Sequence, residues 1–276
     1  MPTGQLRHTN APPESTDVAE RICLVALGDS IVHGHMVPAE GAWPAGLEWR
    51  LQRRYSDTRW TVINRGICGE TALQGLARLE RDALRFHPHV LLLAFGLNDC
   101  YLARSATDVW RAVETFPEQT YGPLGKSRLY RAAQRRLSGQ EPPWAGVEVS
   151  WRPRVGPEPF VAALQRMVQT ARQARVAHIS LLTMTPVGGG AHSYWPPDVQ
   201  SLQVATYHMY NDRIRETARS LGTGLIDVEA GFSGSDLTGL LDYDGVHLTA
   251  AGQERLAEVV SAALDREIIP TLLRQL

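Results

Sequence analysis

The sequence predicts an α/β protein built on a parallel sheet, and three observations predict it. Short apolar runs recur at about 21–27, 60–63, 90–95, 179–184 and 224–228. A strand buried on both faces of a parallel sheet reads as such a run rather than as an alternation. Segments with apolar residues at helical spacing separate the runs, which is the rhythm of right-handed crossovers. Each run stops at a polar or glycine-bearing turn, on the edge where open α/β sheets hold their ligands.

The first run carries Leu24-Val-Ala-Leu into Gly28-Asp29-Ser30, so Ser30 leaves its strand on that edge. Taken alone, such a serine is equally a turn residue or a helix cap. A helix follows over 43–51, with Pro44 accommodated in its first turn. The β-branched strand at 60–63 ends in Asn64-Arg-Gly66-Ile-Cys-Gly69. In the helix predicted over 71–86, Leu76, Leu79, Ala83 and Phe86 form one stripe, and Arg78, Arg81, Asp82 and Arg85 stay off it. Pro88 interrupts the chain before 90–95, which runs into Gly96-Leu-Asn98-Asp99.

The alternation lapses from about 101 to 159, where helices are predicted near 108–116 and 127–137, ahead of a Pro- and Trp-rich run. Too few periodic apolar residues occur here for a separate core. An insertion of this length on the ligand edge is expected to be a lid or substrate wall. Order returns with a helix at 158–174, the strand at 179–184, a helix at 201–221 and the strand at 224–228. After Asp242-Tyr-Asp244-Gly-Val-His247 a last helix is predicted over 249–265. Residues 1–20 read as a flexible tail, which leaves a single domain over 21–276.

A chain of 276 residues can bury a substantial core. Its formal net charge of −1 supplies no field to draw in nucleic acid or anionic lipid, so neither is an expected partner. No apolar run reaches the roughly 20 residues of a membrane span, and no stable membrane insertion is expected. Cys23, Cys68 and Cys100 are widely spaced and form no CxxC, which suggests neither a disulfide framework nor a zinc site. The first twenty residues are polar and lack the apolar segment of a signal peptide, so the expected location is cytoplasmic. Oligomeric state is left open.

Acyl transfer through a covalent intermediate needs a nucleophile, a base, an orienter for the base and donors for an oxyanion. One candidate for each stands at the end of a different predicted strand: Ser30, Gly69, Asn98, and Asp244 with His247. Gly69 offers an unhindered backbone N–H and Asn98 an amide N–H₂, although either residue type is also ordinary in a turn or cap. A surface histidine before a helix is equally common, but Asp244 lies three residues ahead of His247. That spacing lets its carboxylate reach Nδ1, fix the tautomer and leave Nε2 to take the Ser30 proton. Asp242 is the second candidate for orienter. Asp29 precedes the nucleophile and is expected to brace the loops rather than act as a base.

Gly28-Asp29-Ser30, Asn64-x-Gly66-x-x-Gly69-Glu70-Thr71, Gly96-x-Asn98-Asp99 and Asp244-x-x-His247 together resemble the ordered blocks of the SGNH (GDSL) hydrolases. Ala42-Trp43-Pro44 and Gly75-Leu-Ala-Arg-Leu79 are similar to the bacterial thioesterase/lysophospholipase branch. The resemblance covers about 21–100 and 160–265 and departs at 101–159. It implies a three-layer flavodoxin-like fold with a five-stranded parallel sheet in the order 2-1-3-4-5. It further implies Ser30 as nucleophile, His247 as base and Asp244 as orienter. The Ser30 and Gly69 backbone N–H groups and the Asn98 side chain would form the oxyanion hole. No cofactor and no metal are implied, and the substrate would be a small-molecule, lipid or carbohydrate ester. Cys68 and Cys100 acquire no role.

Other motifs fall away. Gly125-Lys126-Ser127 lacks the leading glycine of a phosphate loop, since position 120 is Thr120. Gly231-Phe-Ser233-Gly234-Ser235 lacks the final glycine of a nucleophile elbow. His33-Gly-His35 and His87-Pro-His89 have no acidic or cysteine partners nearby in sequence and read as loop histidines. The basic stretch from Lys126 to Arg136 reads as a solvated helix face. The expected function is a serine ester hydrolase. Acyl transfer to a sugar or other alcohol with the same residues, and a catalytically silent binding protein of the same fold, are the alternatives.

Overall fold

The structure, a computed structural model, describes residues 21–103, 151–188 and 197–274. The expected tail, the helices near 108–116 and 127–137, the basic stretch and Gly125-Lys126-Ser127 lie outside the described residues.

In chain order the strands are β1 (Arg21–Gly28), β2 (Arg59–Gly66), β3 (Val90–Ala94), β4 (Leu102–Ala103), β5 (Arg152–Pro153), β6 (His178–Leu182) and β7 (Gly224–Ile226). Five of them form one parallel sheet in the order β2-β1-β3-β6-β7. Counted over these five, the order is 2-1-3-4-5. The whole-chain labels differ because β4 and β5 form a separate antiparallel pair, Leu102 against Pro153 and Ala103 against Arg152. Strands of two residues carry no periodic signal, so the sequence does not announce them.

The continuous apolar runs are explained by what lies on either side of the sheet. In β1, Val25 and Leu27 join one core, and Ile22, Leu24 and Ala26 join the other. In β3, Leu91 and Leu93 face the first core, and Val90 and Leu92 face the second. The first core is closed by α3 (Ala72–Asp82), α5 (Pro157–Gln173) and α6 (Pro197–Leu221), where α5 follows the short α4 (Leu97–Cys100). The second is closed by α1 (Ser30–His33), α2 (Trp43–Arg54), α7 (Val228–Gly231), α8 (Ala250–Glu267) and α9 (Ile269–Leu272). Three layers result.

Boundaries shift where hydrogen bonds outrun the hydrophobic pattern. The helix predicted over 71–86 is α3 followed by a separate 3₁₀ turn, Leu84–Phe86, and Thr71 is its cap. Thr71 and Gln74 form a reciprocal capping box there. The strand predicted at 60–63 extends to Gly66, because Asn64, Arg65 and Gly66 go on pairing with Ala26, Leu27 and Gly28. As an edge strand β2 would expose N–H groups, and α2 covers two of them. Trp60 N–H donates to Gln52 Oε1 at 3.2 Å and Val62 N–H to Glu48 Oε2 at 2.6 Å.

The sheet is crowded where β1 ends. A Cβ on Gly28 would lie 2.4 Å from both the Ala94 carbonyl oxygen and Val32 Cγ2. Only a residue without a side chain lets the chain turn from β1 directly into α1. Gly28→Ala is therefore expected to lower stability by about 1–3 kcal/mol through overpacking, read as a drop in the urea midpoint. An unchanged midpoint would mean that β3 can withdraw.

Candidate active site

Ser30 begins α1 with Asp29 as its N-cap. The Asp29 Oδ1 accepts the Ile31 N–H at 3.0 Å, so Asp29 points inward and Ser30 stands at the sheet edge. Arg78, itself buried, donates to the Gly28 carbonyl at 3.1 Å and to Glu70 Oε2 at 2.5 Å, which ties the end of β1 to the loop after β2.

The Asp244–His247 loop organises itself. Asp244 Oδ1 accepts the N–H groups of Val246 and His247, both at 2.9 Å, and Oδ2 takes His247 Nδ1 at 2.5 Å. Burial alone would raise the Asp244 carboxyl, but these hydrogen bonds hold it well below the usual carboxylate range. With Nδ1 protonated toward Asp244, Nε2 accepts from Ser30 Oγ–H at 3.0 Å. Asp242, the second candidate, instead closes the loop, its N–H donating to the His247 carbonyl and its carboxylate accepting the Tyr243 N–H.

Gly69 is the third residue of a turn closed by Glu70 N–H to the Ile67 carbonyl. Its φ is +77° while Cys68 stays out of the left-handed region, the type II pattern, which asks for glycine at this position. Asn98 lies in α4, and its Nδ2 donates to Asp29 Oδ2 at 3.3 Å. Arg154, which follows β5, joins the two residues. It donates through Nη1 to Asn98 Oδ1 at 3.1 Å and through Nη2 to the Gly69 carbonyl at 3.2 Å. Ser30, His247 and Asp244 are thus in one hydrogen-bonded chain, Asn98 bonds the neighbour of Ser30, and Gly69 reaches Asn98 through Arg154.

Sequence reasoning misses Arg154. An arginine at the far end of a long irregular stretch has no spacing or motif to single it out. Asp99 is also more than a turn residue. It is fully buried, and its two carboxylate oxygens accept the Ala72 N–H at 2.9 and 3.2 Å, which tethers the start of α3. Burial pushes its carboxyl up to about 7, and burial likewise raises Asp29 to about 6. Among the loop histidines, His35 packs edge-on against His247 with ring centroids 4.5 Å apart, and His89 Nδ1 accepts the Cys23 N–H. Cys100 is buried, and that burial pushes its thiol far up, so it offers no thiolate nucleophile. Gly231 ends α7, and the Ser233–Gly234 segment after it makes an ordinary turn.

Residues 26–255 match the model of the GDSL-like lipase/acylhydrolase family. The chain belongs to that family. Curated relatives of this GDSL-like chain include an arylesterase of Vibrio mimicus and the thioesterase 1/protease 1/lysophospholipase L1 of Escherichia coli K12. Each is 40% identical over 76 residues, 28% of this chain. The match spans 37% and 34% of their respective lengths, about a third of each. Among solved structures, Axe2, an acetylxylan esterase from Geobacillus stearothermophilus, superposes with a TM-score of 0.60. It is 20% identical over 91% of this chain and 97% of its own, a likeness of fold. No helix among the described residues of the GDSL-like chain is long and apolar enough to cross a membrane.

Asp99 carries a testable consequence. With its carboxyl at about 7 in the fold against an ordinary 3.8, the folded chain holds a proton that the unfolded chain releases. The stability from this group is complete below about pH 4 and is lost as pH rises through about 7. Asp99→Asn keeps an acceptor for Ala72 and is expected to flatten the fall in thermal midpoint across that range. A slope identical to wild type would place the proton elsewhere.

Proposed function

We propose that the protein is a serine ester hydrolase that cleaves small-molecule carboxylic esters through an acyl-Ser30 intermediate. The observation that carries this reading is the continuous hydrogen-bonded chain from Ser30 through His247 to Asp244, with links of 3.0 and 2.5 Å. Family membership and relatives described as arylesterase, thioesterase and acetylxylan esterase support it.

Ser30 Oγ attacks the ester carbonyl carbon as its proton passes to His247 Nε2, and Asp244 stabilises the imidazolium. The carbonyl oxygen becomes an oxyanion, held by the Ser30 and Gly69 backbone N–H groups and Asn98 Nδ2. Collapse breaks the bond to the alcohol oxygen, which leaves with the proton from His247. Water then gives a proton to Nε2 and attacks the acyl carbon, and the second collapse returns Ser30 and releases the carboxylic acid. None of these steps calls on a cofactor.

The chain between 104 and 150 leaves and re-enters at the β4–β5 pair, close in sequence to Asn98 and Arg154. We read the 101–159 insertion as part of the single domain and as the part that selects the acyl or alcohol group. Exposed Met36, Leu73 and Tyr243, near site residues in the chain, add apolar surface suited to such a group. The expected cytoplasmic setting belongs to the same proposal.

A fluorophosphonate probe is expected to label wild type and to leave Ser30→Ala unlabelled. Labelling that survives the substitution would remove Ser30 from the mechanism, and an unlabelled wild type would favour a silent binding protein. Shortening the chain within 104–150 is expected to change the acyl-length preference on p-nitrophenyl esters far more than turnover of the acetate. An unchanged preference would deny the insertion its selecting role.

A further inference from the structure

We propose that Arg154 is a positioning residue for the oxyanion donors, acting through the Asn98 amide and the Gly69 carbonyl; this rests on the ester-hydrolase reading above. A guanidinium has donors and no acceptor, so the Asn98 side facing it must be the oxygen. Nη1 meets Oδ1 at 3.1 Å, and Nδ2 on the opposite side donates one hydrogen to Asp29 Oδ2 at 3.3 Å. The second Nδ2 hydrogen is left for substrate. A flipped amide would set its N–H₂ against the guanidinium and its oxygen against the Asp29 carboxylate, two repulsive contacts in place of two hydrogen bonds. Arg154 and Asp29 therefore select the one orientation in which Asn98 can donate.

The same planar group spans two loops. Its Nη2 holds the Gly69 carbonyl at 3.2 Å, so a single rigid fork sets the spacing between the loop that offers the Gly69 N–H and the helix that offers Asn98. Arg154 can do this because its own backbone is fastened. Its N–H donates to the Tyr101 carbonyl at 3.0 Å and the Val155 N–H to the Asp99 carbonyl at 3.1 Å. The Tyr210 hydroxyl from α6 donates to the Val155 carbonyl. A residue from the end of the insertion thus completes a site whose other members come from the strand ends. Because it acts where charge develops, its removal should weaken turnover more than substrate binding.

The test is a double-mutant cycle on p-nitrophenyl acetate with Arg154→Ala, Asn98→Ala, the pair together, and Ser30→Ala alongside. Arg154→Ala is expected to lower kcat roughly ten- to hundredfold with little change in KM, less than the hundred- to thousandfold of removing a donor itself. In the Asn98→Ala background the same change should cost no more than about threefold, since only its hold on the Gly69 carbonyl is left to lose. Arg154→Lys, a point charge without the fork, should recover only part of kcat. Independent, multiplying losses, a change in KM alone, or a wild-type kcat would overturn the proposal. If Arg154→Ala has no thermal transition, Arg154→Lys takes its place in the cycle under the same criteria. Turnover retained by Ser30→Ala would instead overturn the ester-hydrolase reading. An inactive Ser30→Ala beside a wild-type-like Arg154 variant would overturn the positioning role alone.

Discussion

The absence of a side chain at Gly28 is the constraint on which the site depends. At this point β1 is flanked by β2 and β3, the Ala94 carbonyl closes over the position, and α1 begins two residues later. Gly66, its partner in β2, is pressed in the same way against the His33 backbone. These two close approaches let three backbones crowd one corner of the sheet, which directs Ser30 outward and Asp29 inward. Arg78 secures the corner from below through the Gly28 carbonyl. Ser30 is placed by backbone packing before any of its hydrogen-bond partners is considered.

Beneath that corner lie several buried or half-buried ionisable side chains. Asp29, Asp99 and Arg154 brace the segments that carry Gly69 and Asn98, and Arg78, Glu70 and Asp82 brace the next layer. Burying such groups costs desolvation, and a hydrophobic cluster of equal volume is often as stable. What the charges add is orientation. A carboxylate that accepts a helix N–H, or a guanidinium that takes two carbonyl-type oxygens, admits one geometry where packed leucines admit several. The raised carboxyls of Asp29 and Asp99 are the sign of that cost, since burial outweighs the hydrogen bonds each receives.

Legibility in the sequence followed the range of the interactions. The five sheet strands and the long helices were readable because burial on both faces writes an apolar run into the chain and a half-buried helix writes a stripe. The Asp244–His247 pair was readable because its chemistry closes within four residues. Ser30, Gly69 and Asn98 were readable as strand-end residues in family order. Their mutual geometry was not, because no local pattern carries the distance between ends of different strands. Arg154, the β4–β5 pair and the Asp99 tether to Ala72 are joined across 27 to 85 residues. Nothing in their own neighbourhoods foretells the partner.

The sequence by itself determined the layers, the order of blocks and the set of groups able to carry acyl chemistry, because hydrophobic periodicity and residue type are local properties. Only the tertiary structure decided which carboxylate bonds the histidine, which way the Asn98 amide turns and which residue links Asn98 to the Gly69 loop. Those are choices among chemically equivalent candidates. They are settled by distances of about 3 Å between groups that the chain brings together only when the sheet closes.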